Sequence, residues 1–214
     1  MTESIKDPTY ENDGYLILKN FIPHFFATYL KTYFDTLKTN DKLENGDAQV
    51  GNSSCVYGDP AFDTFLLMST PFISGAIKTE LLPTYTYGRI YHKGAELLPH
   101  IDREECEHSV TLFLGGEYES LWPIWMLNKE VHKQPQMCVL YPGDAVVYKG
   151  NKVHHWRDGF DGTSHYQLFL HFVEAEGKYA NKLYDTRPYI GLPSTTKTDY
   201  GLSSDQQPSE DTLR

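Results

Sequence analysis

"TYTYGRIYHKGAELLPHID", residues 84–102, decides how this chain folds. Its first nine residues are dense in Thr, Tyr and Ile, a turn signal follows at Gly94, and "ELLPHID" is a second extended run. On a strand, side chains at i and i+2 share a face. His100 and Asp102 would therefore point together into whatever the sheet encloses, and Tyr87, Arg89 and Tyr91 would share a face on the preceding run. Taken alone, H-x-D is short enough to be no more than a polar pair at a strand end.

The same texture continues downstream. "HSVTLFLG" (108–115), "LWPIWMLN" (121–128), "QMCVLY" (136–141), "DAVVYKG" (144–150), "HHWRD" (154–158) and "HYQLFLHFV" (165–173) complete eight strand candidates. Turn residues fall between them at Gly115–Gly116, Pro142–Gly143, Gly150–Asn151 and Gly159–Gly162. Eight short strands at this spacing fit a double-stranded β-helix, a cupin-like jelly roll of two sheets packed face to face, so the expected class is mainly β with flanking helices. Upstream, "GYLILKNFIP" (14–23) reads as a strand and "HFFATYLKTYFDTLK" (24–38) as an amphipathic helix. Residues 39–58 are polar and glycine-bearing, which predicts a loop. A second helix opens at Asp59 and Pro60, and Pro71 is expected to break or kink it. The expected organisation is one domain over 1–192, with its jelly-roll core at about 84–173 and a polar, flexible tail over 193–214.

Composition narrows the function. The 214 residues carry a net charge of −10 with no Lys/Arg run, which argues against nucleic acid or an anionic membrane as partner. Nothing approaches the length of a membrane span. Cys55, Cys106 and Cys138 match no metal or redox spacing, so reduced thiols in a cytoplasmic, soluble protein are expected.

If His100 and Asp102 are metal ligands, one more imidazole on a neighbouring strand would complete a facial triad. The remaining positions of such a site admit a chelating cosubstrate and dioxygen at non-haem iron. His154 and His155 are the strongest choice, because they follow a tight turn at Gly150–Asn151 on a short returning strand. Adjacent residues face opposite ways. His155, which shares a face with Val153 and Arg157, is the expected ligand. His108 is too near Asp102, His132 lies in a charged loop, and His171 reads as a hydrogen-bonded core histidine.

The order "YTYGRIYHKGAELLPHID", "SVTLFLGG", "PGDAVVYKGNKVHHW" and a terminal strand resembles the Fe(II)- and 2-oxoglutarate-dependent dioxygenases, in particular their prolyl 4-hydroxylase-like branch. The resemblance covers about residues 84–173. It implies that His100, Asp102 and His155 bind iron and that Tyr91 hydrogen-bonds the distal carboxylate of 2-oxoglutarate. It further implies hydroxylation of a C–H bond of a peptidyl, amino-acid or small-metabolite substrate, with release of succinate and carbon dioxide and with ascorbate as a candidate accessory. The family's basic residue about ten positions past the second histidine is replaced by His165. The carboxylate anchor is thus open among His165 with Gln167, Arg157 and Arg89. Trp156 and Arg103 are candidates for the substrate pocket. Two alternatives stay open: a cupin-like metal enzyme without an oxoacid, and a non-catalytic jelly-roll binding module.

Overall fold

A computed structural model describes residues 9–192, so the expected tail at 193–214 lies outside the described residues. Helices form at Tyr10–Asp13 (α1), His24–Thr39 (α2) and Pro60–Ile77 (α3). Three strands precede the barrel: Tyr15–Leu18 (β1), Glu44–Asn45 (β2) and Ser53–Tyr57 (β3). Eight follow: Leu81–His92 (β4), Leu97–His100 (β5), His108–Glu117 (β6), Ile124–Leu127 (β7), Gln136–Cys138 (β8), Ala145–Lys149 (β9), His154–Arg157 (β10) and Ser164–Glu174 (β11). Each of these eight coincides with one of the runs read from sequence.

The strands form a seven-stranded sheet ordered β1-β9-β6-β11-β4-β3-β2 and a four-stranded sheet ordered β5-β10-β7-β8. Every pairing is antiparallel. The eight barrel strands divide four and four between the sheets, as a jelly roll requires.

Alternation gives the large sheet two unlike faces. On one, Ile90, Val110, Leu112, Ala145, Val147, Leu168 and Leu170 join Leu30, Phe34, Phe62 and Leu66 of α2 and α3 in one apolar cluster. Burial of this kind is the main favourable term in folding, and removing a ring such as the fully buried Phe34 costs about 3–5 kcal/mol. A Cβ at Gly88 would stand 2.3 Å from the Phe34 ring, so the helix lies directly on β4 there. The other face presents Tyr87, Arg89, Tyr91, Ser109, Thr111, His165 and Gln167, all buried between the sheets. The largest apolar cluster lies under the helices, while the enclosed interior mixes these polar groups with apolar side chains such as Phe113, Val146, Met126 and Ile124 of a second cluster between the sheets.

Two expectations are corrected. The segment 39–58 is not all loop: β3 pairs with β4 and β2 with β3, because β4 offers an edge that the local sequence does not reveal. Nor does Pro71 end α3, which continues to Ile77. Pro71 is exposed, so the carbonyl its missing N–H leaves free can be solvated. The cap at Asp59 forms as expected, its carboxylate accepting from the Ala61 and Phe62 N–H groups. Among the described residues, no helix is long and apolar enough to cross a membrane.

Candidate metal centre

His100 ends β5, His155 lies on β10, and the two are register partners across the antiparallel pair. Asp102 is held two residues beyond His100 by its N–H, which donates to the Gly150 carbonyl at 2.8 Å. All three side chains are buried. One imidazole nitrogen on each ring faces a backbone carbonyl: His100 Nδ1 donates to Leu98 O (2.8 Å) and His155 Nδ1 to Val153 O (3.0 Å). Those bonds set the tautomers, so both Nε2 atoms turn a lone pair inward. Asp102 Oδ1 lies 3.6 Å from His100 Nε2 and 3.3 Å from His155 Nε2. One ligand atom from each residue thus falls within 4.8 Å of the others.

The electrostatics follow from burial. Desolvation lowers the His100 pKa, with the neighbouring His155 adding to the effect, so His100 is a neutral imidazole. Two imidazole nitrogens with inward lone pairs and a carboxylate converging in a buried site form a donor set suited to Fe(II) or another divalent first-row metal.

The cavity beside these ligands is lined by Tyr87, Arg89, Tyr148, Phe169 and His171, with Gln49 reaching in from the β2–β3 connection. Gln49 Nε2 donates to His100 Nε2 at 2.8 Å, while its Oε1 accepts from Arg89 Nη1 at 2.9 Å. Arg89 also pairs with Asp47 and donates to the Tyr91 hydroxyl at 3.2 Å.

Farther along the interior stands a second polar group. Arg157 is 2% exposed and shares its face with His155. Its Nη1 donates to the Trp122 carbonyl (2.5 Å) and its Nη2 to Gln167 Oε1 (3.3 Å). Among the described residues Arg157 forms no ion pair, whereas Arg89, Arg103 and Arg187 each hold a carboxylate. Burial lowers the Arg157 pKa to about 10, partly offset by Tyr91 and Tyr148, so the guanidinium stays charged at neutral pH. His165, stacked on Phe113 at 4.2 Å, donates from Nε2 to Gln167 Oε1 at 2.8 Å. Burial first, and then the Arg157 charge, push His165 well below its ordinary value. It is therefore neutral, which counts against a cationic His165 as the anchor. Tyr91 is buried here as well, its ring edge-on to Trp122 and His165.

Trp156 does not line this interior. Alternation sends it to the opposite face from His155, where it stacks on Trp125 with ring centroids 6.2 Å apart. Arg103 stacks on Tyr85 at 4.6 Å and is paired with Asp185 and Glu105, so it borders the site through Tyr85. His154 points outward to Lys129, and the three cysteines are buried free thiols.

The sequence reading missed Gln49, Asp47, Tyr148 and Ser109. Ser109 and Tyr148 could have been found from strand alternation alone; Gln49 and Asp47 could not, because a connection without periodicity delivers them.

No protein-family model and no curated protein matches the sequence. Solved structures do. A Pseudomonas putida prolyl-4-hydroxylase superposes with a TM-score of 0.64 at 16% identity, over 77% of this chain and 95% of that one. A Trichoplax adhaerens prolyl hydroxylase in complex with a hypoxia-inducible-factor peptide gives 0.65 at 14%, over 78% and 86%. HygX from Streptomyces hygroscopicus, with nickel and 2-oxoglutarate bound, gives 0.60 at 11%, over 78% and 85%. The chain has the jelly-roll fold of these oxygenases, as its sequence led us to expect.

Proposed function

We propose that this protein is a non-haem Fe(II)- and 2-oxoglutarate-dependent oxygenase that hydroxylates a C–H bond of a peptidyl, amino-acid or small-metabolite substrate. The observation that carries this reading is the convergence of His100 Nε2, His155 Nε2 and Asp102 Oδ1, with both rings turned by backbone carbonyls. Iron bound there would supply the dioxygen chemistry by which 2-oxoglutarate is decarboxylated to succinate and carbon dioxide while the substrate gains a hydroxyl group.

The chain's own residues account for the rest. His100, Asp102 and His155 hold the metal through one face, leaving the other for chelation by an oxoacid. Arg157 is the anchor we assign to the distal carboxylate. A buried guanidinium without a carboxylate is costly, and an incoming carboxylate relieves that cost through a charge-assisted pair. Tyr91 and the amide of Gln167 stand beside it as neutral hydrogen-bonding groups, and His165 packs the wall. Tyr87, Tyr148 and Phe169 close the cavity with rings, which keeps water from the reacting atoms. The buried free thiols fit a reducing, cytoplasmic setting.

The test is Fe(II)-dependent conversion of 2-oxoglutarate to succinate by the purified protein, scanned over peptides, amino acids and metabolites. Neither metal binding nor succinate formation would return the fold to a binding module. Metal binding with no effect of 2-oxoglutarate would favour a cupin-like enzyme without an oxoacid.

A further inference from the structure

Asp102 has two carboxylate oxygens, and they have different surroundings. Oδ1 faces the two imidazoles. Oδ2 accepts a hydrogen bond from the Ser109 hydroxyl at 2.8 Å. Ser109 in turn lies 3.0 Å from His171 Nδ1. These contacts follow from register: Ser109 on β6 is the direct partner of His171 on β11 and of Tyr148 on β9. Three adjacent strands therefore present Tyr148, Ser109 and His171 as one row on the enclosed face, with Asp102 above the middle member.

Hydrogen counting fixes the direction of the row. A serine hydroxyl has one proton to give. Its possible acceptors are Asp102 Oδ2 at 2.8 Å, His171 Nδ1 at 3.0 Å and the Cys106 carbonyl at 3.3 Å, and the charged, nearest acceptor wins. The Ser109 oxygen then accepts from His171 Nδ1–H. His171 is itself held, its ring packed on Tyr85 with centroids 4.5 Å apart and parallel to Phe169. Gly150 completes the cradle: a Cβ there would meet Asp102 Oδ2 and Ser109 Oγ, each at 2.7 Å.

We infer that Ser109 and His171 are positioning residues for the metal centre, acting as a relay from His171 through Ser109 to Asp102 that pins one carboxylate oxygen and presents the other to the metal. The inference rests on the ligand assignment above. Carboxylate ligands held by an outer hydrogen bond bind metal more tightly than free ones, and losing such a partner weakens affinity about 10- to 100-fold.

Co(II) titration of the full chain, read by its visible ligand-field bands, tests this without turnover. Ser109→Ala and His171→Phe should each weaken Co(II) binding about 10- to 100-fold. They should also alter the band shape while leaving the far-ultraviolet circular dichroism unchanged. His171→Asn, whose amide N–H can replace Nδ1–H, should restore affinity and band shape close to wild type. The Ser109→Ala/His171→Phe double variant should be no weaker than either single change, since one relay cannot be broken twice. Wild-type affinity in Ser109→Ala or His171→Phe, or His171→Asn binding as weakly as His171→Phe, would overturn the relay. His155→Ala is the control: if it leaves Co(II) binding intact, the metal assignment falls and the relay with it. If His155→Ala abolishes binding while the relay variants bind normally, only the relay falls.

Discussion

The interior between the two sheets holds two buried polar groups of opposite electrostatic character, one lining the cavity and one beside it. At the end formed by β5 and β10, His100, Asp102 and His155 turn lone pairs toward one point. At the other, Arg157 and the His165 ring N–H both donate to Gln167 Oε1, the Gln167 amide N–H donates to Thr111, and Arg157 carries a charge that no carboxylate of the described residues balances. One end suits a cation and the other an anion. A metal chelated by a dicarboxylic oxoacid would satisfy both, its chelating head at the first and its free carboxylate at the second. The comparison also separates two buried arginines: Arg89 already has Asp47, so its charge is spoken for, whereas that of Arg157 is not.

The cation end is most easily broken by removing a ligand, which gives the largest effect we expect. His155→Ala should abolish Fe(II) or Co(II) binding, while His154→Ala, which alters an outward-facing ring beside Lys129, should leave it near wild type. Titration of both variants checks this, and the reverse result would exchange the two histidines.

Protons challenge the interior next. Burial lowers His171 and His108 to about 4. The folded-state values lie below the unfolded value of about 6.5, so the unfolded chain takes up the extra protons; the stability is full above that pH and is lost as pH falls toward 4. At pH 5 the two together should cost about 4 kcal/mol of stability in the metal-free protein. Urea unfolding at pH 7, 6 and 5 measures it, and a stability unchanged down to pH 5 would mean that these rings are solvated.

A smaller effect is expected at the anion end. Because His165 is neutral and Arg157 charged throughout, the affinity for 2-oxoglutarate should be nearly flat between about pH 6 and 8. His165→Ala should weaken it only modestly, through lost packing on Phe113. An affinity that declines steeply with rising pH, and no longer does so in His165→Ala, would restore the histidine as the cationic anchor.

Much of this could be read from the chain. Strand alternation places His155 with Arg157, the i,i+2 spacing brings Asp102 beside His100 although β5 ends at His100, and all eight barrel strands follow from runs bounded by turn residues. His100 and His155 were legible as facing residues because they lie on paired short strands whose faces are fixed by period two, whereas Asp102 lies past the end of β5, held by its N–H on the Gly150 carbonyl. The same rule puts Trp156 outside, against the expectation drawn from its adjacency to His155. What could not be read depends on tertiary placement. Gln49 and Asp47 reach the cavity because β3 extends the sheet along β4, and no periodic signal in 39–58 announces that pairing. The neutrality of His165 depends first on its burial between the sheets and then on Arg157 approaching from another strand.

The most direct test compares 2-oxoglutarate with 2-oxobutanoate, which keeps the chelating head and lacks the distal carboxylate. Binding to the anaerobic Fe(II) protein can be followed by the visible band of the oxoacid chelate. Wild type should prefer 2-oxoglutarate strongly. Arg157→Ala should lose about 2 kcal/mol or more of that binding, roughly 30-fold, while binding 2-oxobutanoate as before. Arg89→Ala should keep the preference. A preference that survives in Arg157→Ala and vanishes in Arg89→Ala would contradict the assignment of the two ends.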